Sequence, residues 1–271
     1  MQTAIFFIGL LFMCFFGHIY DEDSRLRRLL LFSYAWKEVE LLKLLFRVSR
    51  LNILKSPYIR KPFYYLFFHF LGTRGIVCQA ATLSETRDFI DGLPDDHAIA
   101  VGPCRCRVGN KNCDHEVMTD IVIKETATIW YRDLFPRDYR LITKQEAKEI
   151  CEKSRRAGMI QCIDRHMYVN NSENYFVICN CCKESCIPII AYRIFKEEPY
   201  AFFPSKYVAA VDSERCVSCG RCVTTCPFDE RRLDESKGVV AVGDCQGCGL
   251  CVDVCQNGAC GMTPREAVIR Q

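Results

Sequence analysis

Residues 216–227 have the sequence CVSCGRCVTTCP, and residues 245–256 have the sequence CQGCGLCVDVCQ. In both stretches four cysteines follow the spacing C-x2-C-x2-C-x3-C, and the second copy begins 29 residues after the first. Each copy follows a β-like run, YVAAVDSER in the first case and VVAVGD in the second. A repeated strand, cysteine loop and short helix indicates a duplicated structural unit rather than a chance match.

Cysteine is the anomaly of the composition. The chain has 271 residues, and 20 of them are cysteine. Disulfides, zinc and iron–sulfur clusters are the three explanations for so many thiols. Disulfide scaffolds are usually short secreted domains with cysteines spread among loops. Here the cysteines form tight local groups, which is how soft-metal ligands are arranged, so the pattern favours a metal. A zinc ribbon would use two C-x2-C knuckles rather than two sets of four cysteines.

The repeat closely resembles the bacterial two-[4Fe–4S] ferredoxin family, over about a fifth of the chain. The resemblance implies a compact βαββαβ-like module that passes single electrons, and in this family the fourth cysteine of each motif ligates the other cluster. It therefore implies one cluster on Cys216, Cys219, Cys222 and Cys255, and a second on Cys245, Cys248, Cys251 and Cys226. Pro227 follows the first motif as in the family, whereas Gln256 follows the second.

Seven more cysteines form two groups upstream of the repeat. One group lies in GPCRCRVGNKNCD at residues 102–114, and the other lies in VICNCCKESCIP at residues 177–188. The seven are Cys104, Cys106, Cys113, Cys179, Cys181, Cys182 and Cys186. Between the groups, Thr143 and Glu146 predict a capping box for a helix over residues 146–157, which ends at Gly158. The run NYFVIC predicts a strand that delivers the second group, so the two loops would meet across a small α+β core.

This region resembles a Cys-rich domain, a CxCR element followed by CNCC, that precedes ferredoxin modules in some proteins of anaerobes. Seven thiols exceed the needs of one site, so a third iron–sulfur centre, a zinc site and structural thiols all remain as interpretations. We leave out Cys14, Cys78, Cys151, Cys162 and Cys260, because single buried cysteines commonly behave as small hydrophobic residues. His115 is interpreted as a surface residue in preference to a ligand. Arg105 and Arg107 either are solvated or offset the charge of a thiolate centre.

The N-terminal third predicts a membrane association. Residues 4–19 have the sequence AIFFIGLLFMCFFGHI, a short but usable spanning run, and basic residues from Arg25 onward place everything after Tyr20 on the cytoplasmic side. A signal peptide is disfavoured, because no Lys or Arg precedes the run and no small-residue cleavage pattern follows it. The segment WKEVELLKLLFRV at residues 36–48 predicts a basic amphipathic helix. That helix either lies on anionic lipid, which we prefer, or packs on its own domain. The aromatic run FYYLFFHF at residues 63–70 is a second candidate patch.

The predicted fold class is α+β, in four parts. These are a membrane anchor at residues 1–20, basic and aromatic interfacial or docking helices at 21–75, a Cys-rich metal-binding domain at 76–205, and a 2×[4Fe–4S] ferredoxin module at 206–271. The formal net charge of +3 is too small to indicate a nucleic-acid partner. No G-x-G-x-x-G at a strand–helix junction, P-loop or H-E-x-x-H motif occurs, so the sequence gives no sign of a nucleotide cofactor.

These features predict a membrane-associated iron–sulfur electron carrier on the cytoplasmic face, acting with a redox partner protein as a subunit or partner of a larger oxidoreductase. A stand-alone enzyme is less favoured. Two alternatives remain open. One is a reductase in which an unusual upstream iron–sulfur centre is fed by the ferredoxin clusters, and the other is a redox sensor.

Overall fold

A computed structural model describes residues 25–65, 76–166, 175–195, 202–234, 238–241 and 243–265. The helices are α1 Arg25–Ser49, α2 Pro57–Phe63, α3 Leu83–Asp91, α4 Arg105–Asn110, α5 Glu125–Thr128, α6 Lys144–Arg156, α7 Ile187–Ile194, α8 Arg221–Thr225 and α9 Leu250–Asp253. The strands are β1 Ile76–Ala81, β2 Ile99–Pro103, β3 Met118–Lys124, β4 Arg140–Leu141, β5 Ile160–His166, β6 Tyr175–Cys181, β7 Phe202–Phe203, β8 Tyr207–Val211, β9 Arg231–Asp234, β10 Gly238–Ala241 and β11 Cys260–Pro264. A 3-10 turn at Asn52–Lys55 follows α1, and a π-helical turn at Ile129–Leu134 follows α5.

The Cys-rich domain is built on a seven-stranded sheet with the order β4-β2-β3-β6-β5-β1-β7. Its neighbours are antiparallel except for the parallel pair β1–β7. Both faces of the sheet are covered, and the central strands β3 and β6 carry the apolar runs IVI and FVIC. Helices α3 and α6 pack on one face, where Ile121 and Ile178 are fully buried. Helix α7 and the C-terminal module cover the other face.

Helix α6 forms at the predicted place, with part of the predicted cap. The Thr143 hydroxyl accepts a hydrogen bond from the Glu146 amide at 3.1 Å, which satisfies one unpaired donor of the first turn. The Glu146 carboxylate does not complete the box and instead accepts from Arg140. Gly158 has φ of +84°, the left-handed conformation that ends a helix and that glycine adopts without strain. The prediction of the helix and its end is confirmed.

Helix α1 packs on the Cys-rich domain. The Glu38 carboxylate pairs with Arg105 of α4 at 3.1 Å, and Phe46 is buried. A Cβ added at Gly109 of α4 would lie 3.3 Å from the carbonyl oxygen of Val39, so the two helices touch through their backbones. Of the two roles predicted for the amphipathic segment, the structure shows the packing on its own domain and not the preferred position on anionic lipid.

The predicted anchor at residues 1–20 lies outside the described residues, as do residues 66–70 of the aromatic run. None of the helices in the described ranges combines the length and the apolar character needed to cross a bilayer.

The C-terminal module has the predicted element order βαββαβ, from β8 to β11. Strands β9 and β10 pair antiparallel, and β8 pairs with β11 so that Tyr207 lies opposite Pro264. The first and last strands therefore close the module on itself. The α+β class and the ferredoxin-like arrangement are confirmed.

Candidate metal centres

One cavity in the C-terminal module is surrounded by thiols. Phe228 and Leu250 form its apolar wall, and both side chains are buried. The four thiols that line it belong to Cys226, Cys245, Cys248 and Cys251. Cys226 ends α8, whereas the other three come from the loop before α9 and its first turn. The structure thus brings together the four cysteines that the sequence groups for one cluster.

The backbone of this loop bends tightly toward the sulfurs. The amide of Gly247 donates a hydrogen bond to the Cys245 sulfur at 3.4 Å. Gly247 has φ of +71°, and a Cβ there would lie 2.0 Å from the carbonyl oxygen of Tyr207. Only glycine fits this position, because both the conformation and the close approach exclude a side chain. Amide donors of this kind are among the factors that set the potential of an iron–sulfur site.

Two buried arginines place positive charge beside this cavity. Arg155 of α6 donates to the carbonyl oxygen of Cys248 at 2.8 Å and pairs with Asp253. Arg231 donates to the carbonyl oxygen of Ala209 at 3.2 Å. Burial raises the pKa of the Cys248 thiol to about 12, and the charge of Arg155 opposes that rise. A thiol with so high a pKa releases its proton when a metal binds, so loading of the site is linked to pH.

The first predicted quartet lies nearer the surface. Cys216, Cys222 and Cys255 pack in one cluster with Val239, whereas Cys219 is exposed on the same loop. The Cys255 sulfur accepts a hydrogen bond from the Cys260 amide at 3.4 Å. Such backbone donors lower the pKa of the Cys255 thiol, because they stabilise the thiolate. Cys260, which the sequence analysis left out of the candidate ligands, is therefore a neighbour of this quartet.

Strand register gathers upstream cysteines on one face of the sheet. Cys162 of β5 lies opposite Cys179 of β6, and Cys181 is two residues farther along the same strand. Cys78 of β1 lies opposite Asp164 of β5. Because side chains two residues apart share a face of a strand, these thiols face the same side of the sheet. This is the side that α7 and the C-terminal module cover.

These thiols and two more form a continuous row. The Cys181 thiol interacts with those of Cys162, Cys179 and Cys186. At one end Cys162 interacts with Cys78, and at the other Cys186 interacts with Cys106. We call this set the thiol row: Cys78, Cys106, Cys162, Cys179, Cys181 and Cys186. Four of its members belong to the seven predicted ligands.

Two buried carboxyl groups accompany the thiol row. The Cys179 thiol donates to Asp164 Oδ2 at 3.3 Å and lies 3.6 Å from Asp120 Oδ1. The Tyr139 hydroxyl donates to Asp120 at 3.0 Å. Burial raises the pKa of both carboxyl groups to about 6. The region is thus rich in soft sulfur donors and contains two protonatable carboxyl groups.

The thiol row adjoins the second quartet. Cys78, Cys162, Cys181 and Cys186 belong to one apolar cluster with Cys248, and Cys226 packs against that cluster. The rings of Phe228 and Tyr192 meet edge to face at 5.2 Å on this boundary. The sheet of the Cys-rich domain therefore presents its thiols to the C-terminal module rather than to solvent.

The remaining three predicted cysteines lie elsewhere. Cys113 and Cys182 form a pair with their sulfurs 3.5 Å apart. Cys104 precedes α4, where burial raises the pKa of its thiol. Arg107 is buried beside the thiols of Cys104 and Cys182 and donates to the carbonyl oxygen of Asn180 at 2.7 Å. Of the two roles predicted for Arg107, the structure favours the one that offsets thiolate charge.

The sequence interpretation missed Cys78 and Cys162. Each occurs alone in a strand, and no local spacing marks it as a member of a group. The pairing of β1 with β5 and of β5 with β6 brings them to the row. Cys151, also set aside, is fully buried among apolar residues on the opposite face, as predicted.

Comparisons with known proteins concern the C-terminal module. A family model described as a 4Fe-4S dicluster domain matches residues 209–256. An uncharacterized ferredoxin of Methanocaldococcus jannaschii is 39% identical over 57 residues, which are 20% of this chain and 92% of that protein.

Two proteins longer than that ferredoxin contain similar segments. An archaeal-type glutamate synthase [NADPH] of Dehalococcoides mccartyi is 37% identical over 60 residues, or 21% of this chain and 12% of that protein. An aliphatic sulfonate oxidoreductase, polyferredoxin-like subunit, of Pyrococcus furiosus is 41% identical over 46 residues, or 17% of this chain and 27% of that protein. The chain therefore spans about an eighth and about a quarter of these two relatives.

Proposed function

Because the chain belongs to the 4Fe–4S dicluster ferredoxin family through its C-terminal module, we propose that it relays single electrons through two [4Fe–4S] clusters. The observation that carries the proposal is the cavity between α8 and α9. Four thiols from two separate motifs line that cavity, as the exchange of the fourth cysteine between motifs requires. When bound, a cubane cluster takes up and releases one electron.

Each cluster has its own set of ligands in this proposal. Cys226, Cys245, Cys248 and Cys251 hold the inner cluster, against the Cys-rich domain. Cys216, Cys219, Cys222 and Cys255 hold the outer cluster.

The two sites differ in their access to solvent, which supports a direction for the path. Cys219 is exposed, and the neighbouring Val217 is 65% exposed. Cys248, Cys251 and the intervening Leu250 are buried. A redox partner would thus meet the outer cluster at the loop around Cys219. Phe228 and Leu250 exclude water from the inner cluster.

The thiol row supports an extension of the path into the Cys-rich domain. It lies in the same apolar cluster as Cys248 and offers more soft donors than a single centre needs. We propose that thiols of the row, with Cys181 at its middle, hold a third iron–sulfur centre. The path would then run from the exposed loop, through the inner cluster, to the sheet.

The proposed setting is that of a subunit or partner of a larger oxidoreductase at the cytoplasmic face of a membrane. The polyferredoxin-like subunit among the relatives supports the first part by analogy. The apolar run of residues 4–19 supports the membrane attachment.

Anaerobic iron and sulfide analysis with EPR of the reduced protein tests these assignments. Two clusters require about eight irons per chain, and a third cubane raises the count to about twelve. Cys248→Ser should remove or alter the inner-cluster signal and leave the outer one. A protein with fewer than about eight irons that has never met oxygen would contradict the two-cluster proposal.

The third centre has its own control. Cys181→Ser should abolish a third signal while both ferredoxin signals remain. Cys151→Ser is the matched variant, because Cys151 is equally buried but lies on the other face of the sheet. Equal iron contents in the two variants and the unaltered chain would refute the third centre without touching the relay.

A further inference from the structure

A cluster of four potential ligands lies apart from the thiol row, where two loops meet. One loop follows α4 and carries Cys113 and His115, and the other follows β6 and carries Cys182 and Glu184. His115, Cys182 and Glu184 each offer a ligand atom, and these atoms all lie within 4.8 Å of one another. The Cys113 sulfur adjoins this group of three, 3.5 Å from that of Cys182.

Two of the pair distances are close to those that one tetrahedral ion requires. With zinc–sulfur bonds of about 2.3 Å, two thiolates on a tetrahedral zinc lie about 3.8 Å apart. The observed separation of the Cys113 and Cys182 sulfurs, 3.5 Å, is close to that value. His115 Nε2 lies 3.8 Å from Glu184 Oε2, so small rotations of these two side chains would bring both atoms to the same ion.

The loops that carry the four ligands are held together by hydrogen bonds from side chains of one loop to backbone carbonyls of the other. Asn110 donates to the carbonyl oxygen of Ser185 at 2.7 Å, and Asn112 donates to that of Glu184 at 2.9 Å. The Ser185 hydroxyl donates to the Cys113 sulfur at 3.4 Å. The Ser185 amide also donates to the Cys182 sulfur. Donors already aimed at both sulfurs stabilise thiolates, the form that binds a metal.

A surface ion pair between His115 and Glu184 would be the simplest account of these contacts. It leaves two observations unexplained. Glu184 Oε2 is buried and accepts no hydrogen bond from the described residues, which is costly for a carboxylate oxygen. Two thiols also lie in contact beside it, with the buried Arg107 next to Cys182 to offset negative charge.

We propose that Cys113, His115, Cys182 and Glu184 bind a single zinc ion, separate from every iron–sulfur site. Two thiolates, an imidazole and a carboxylate are the donor types that Zn²⁺ accepts in a closed tetrahedral site. Binding would release the two thiol protons to solvent. The ion would tie the loop after α4 to the loop after β6, and this second loop leads into α7. Its role would be structural, since all four positions are filled.

Anaerobically purified full-length protein, analysed for zinc and iron together, tests the site. The unaltered chain should contain one zinc in addition to its iron. Co²⁺ offered in place of Zn²⁺ should give sulfur-to-cobalt charge-transfer absorption. His115→Gln, Glu184→Gln and Cys113→Ser should each weaken zinc binding, measured by chelator competition, by on the order of tenfold to a hundredfold or more.

Glu116→Gln is the matched control, because Glu116 lies in the same segment and its carboxylate pairs with Lys153 at 3.5 Å. It should leave zinc affinity unchanged. His115 and Glu184 are partly exposed, so their variants should fold, and retained ferredoxin EPR signals would show that they do.

Three results would overturn the proposal. The first is a protein that binds no zinc when Zn²⁺ is supplied, and the second is equal affinity in Glu184→Gln and Glu116→Gln. The third is a Cys113→Ser variant that loses iron instead of zinc, since its sulfur would then belong to an iron–sulfur centre. None of these results depends on whether the two ferredoxin clusters relay electrons.

Discussion

Replacing Arg155 should lower the reduction potential of the inner cluster. Arg155 belongs to the Cys-rich domain, yet its guanidinium donates to the carbonyl oxygen of Cys248 at 2.8 Å and pairs with Asp253. Its side chain is only 7% exposed, so water screens the charge little. Reduction adds an electron to the site that Cys248 helps to hold. Loss of a nearby positive charge therefore disfavours the reduced state.

The size of the effect follows from Coulomb's law. The charge lies about 7 Å from the Cys248 sulfur, allowing for the length of one cysteine, and at an effective dielectric constant of about 20 the interaction is roughly 2.4 kcal/mol. For a one-electron couple this corresponds to about 100 mV. Because the estimate neglects relaxation, we expect Arg155→Met to lower the potential by roughly 50–100 mV. The variant should also lose about 2–3 kcal/mol of stability with its charged hydrogen bonds.

A potentiometric titration followed by EPR measures the shift directly. Arg156→Met is the matched control, because Arg156 is the next residue but its side chain is 73% exposed, and salt screens it. Its effect should be below about 20 mV. Equal shifts in both variants, or no shift in Arg155→Met while the cluster remains intact, would show that Arg155 does not tune this site.

Three further predictions concern other buried features. Arg231→Met should lower the reduction potentials of both clusters, because Arg231 interacts with thiols of both quartets. Arg232 is exposed, so Arg232→Met should leave both potentials unchanged. The potentiometric titration followed by EPR measures both variants. Gly247→Ala should lose about half of the bound iron, since a Cβ there would lie 2.0 Å from a carbonyl oxygen. Iron analysis measures the loss, with Gly261→Ala as the control because the space there is open. Equal iron contents in the two variants would contradict the prediction. Burial raises the pKa of Glu38 from 4.5 to about 7, so the folded state retains a proton that the unfolded state loses, and stability falls as pH rises through this range. Glu38→Gln should remove about 2 kcal/mol of that fall between pH 5.5 and 7.5 in urea unfolding; an unchanged slope would contradict the assignment.

The parts of the molecule that the sequence predicted are those in which local residues carry the information. The C-terminal motifs place three cysteines on one short loop, so spacing alone indicates the chemistry. The helix after Thr143 was predicted for the same reason, because its cap and its terminal Gly158 lie within one segment. The reciprocal half of that cap failed because Arg140, from a neighbouring strand, competes for Glu146.

Features that depend on register could not be predicted. Cys78 and Cys162 are 84 positions apart, and only the pairing of β1 with β5 places them together. The sequence places the adjacent Cys181 and Cys182 in one local group of predicted ligands. In the structure Cys181 points to the thiol row, while Cys182 lies beside Cys113. A periodicity of two along a strand separates what the sequence places side by side.

The pairing of β8 with β11 also bears on how such a chain can arise. Tyr207 lies opposite Pro264, so the polypeptide enters and leaves the module at one point. A segment with adjoining ends can be spliced into a host protein without stretching either flank. The relatives illustrate this portability: the matched segment is 92% of a small ferredoxin and 12% of a glutamate synthase. The last quarter of this chain thus has the geometry of a portable unit, and Arg155 contacts it from outside that unit.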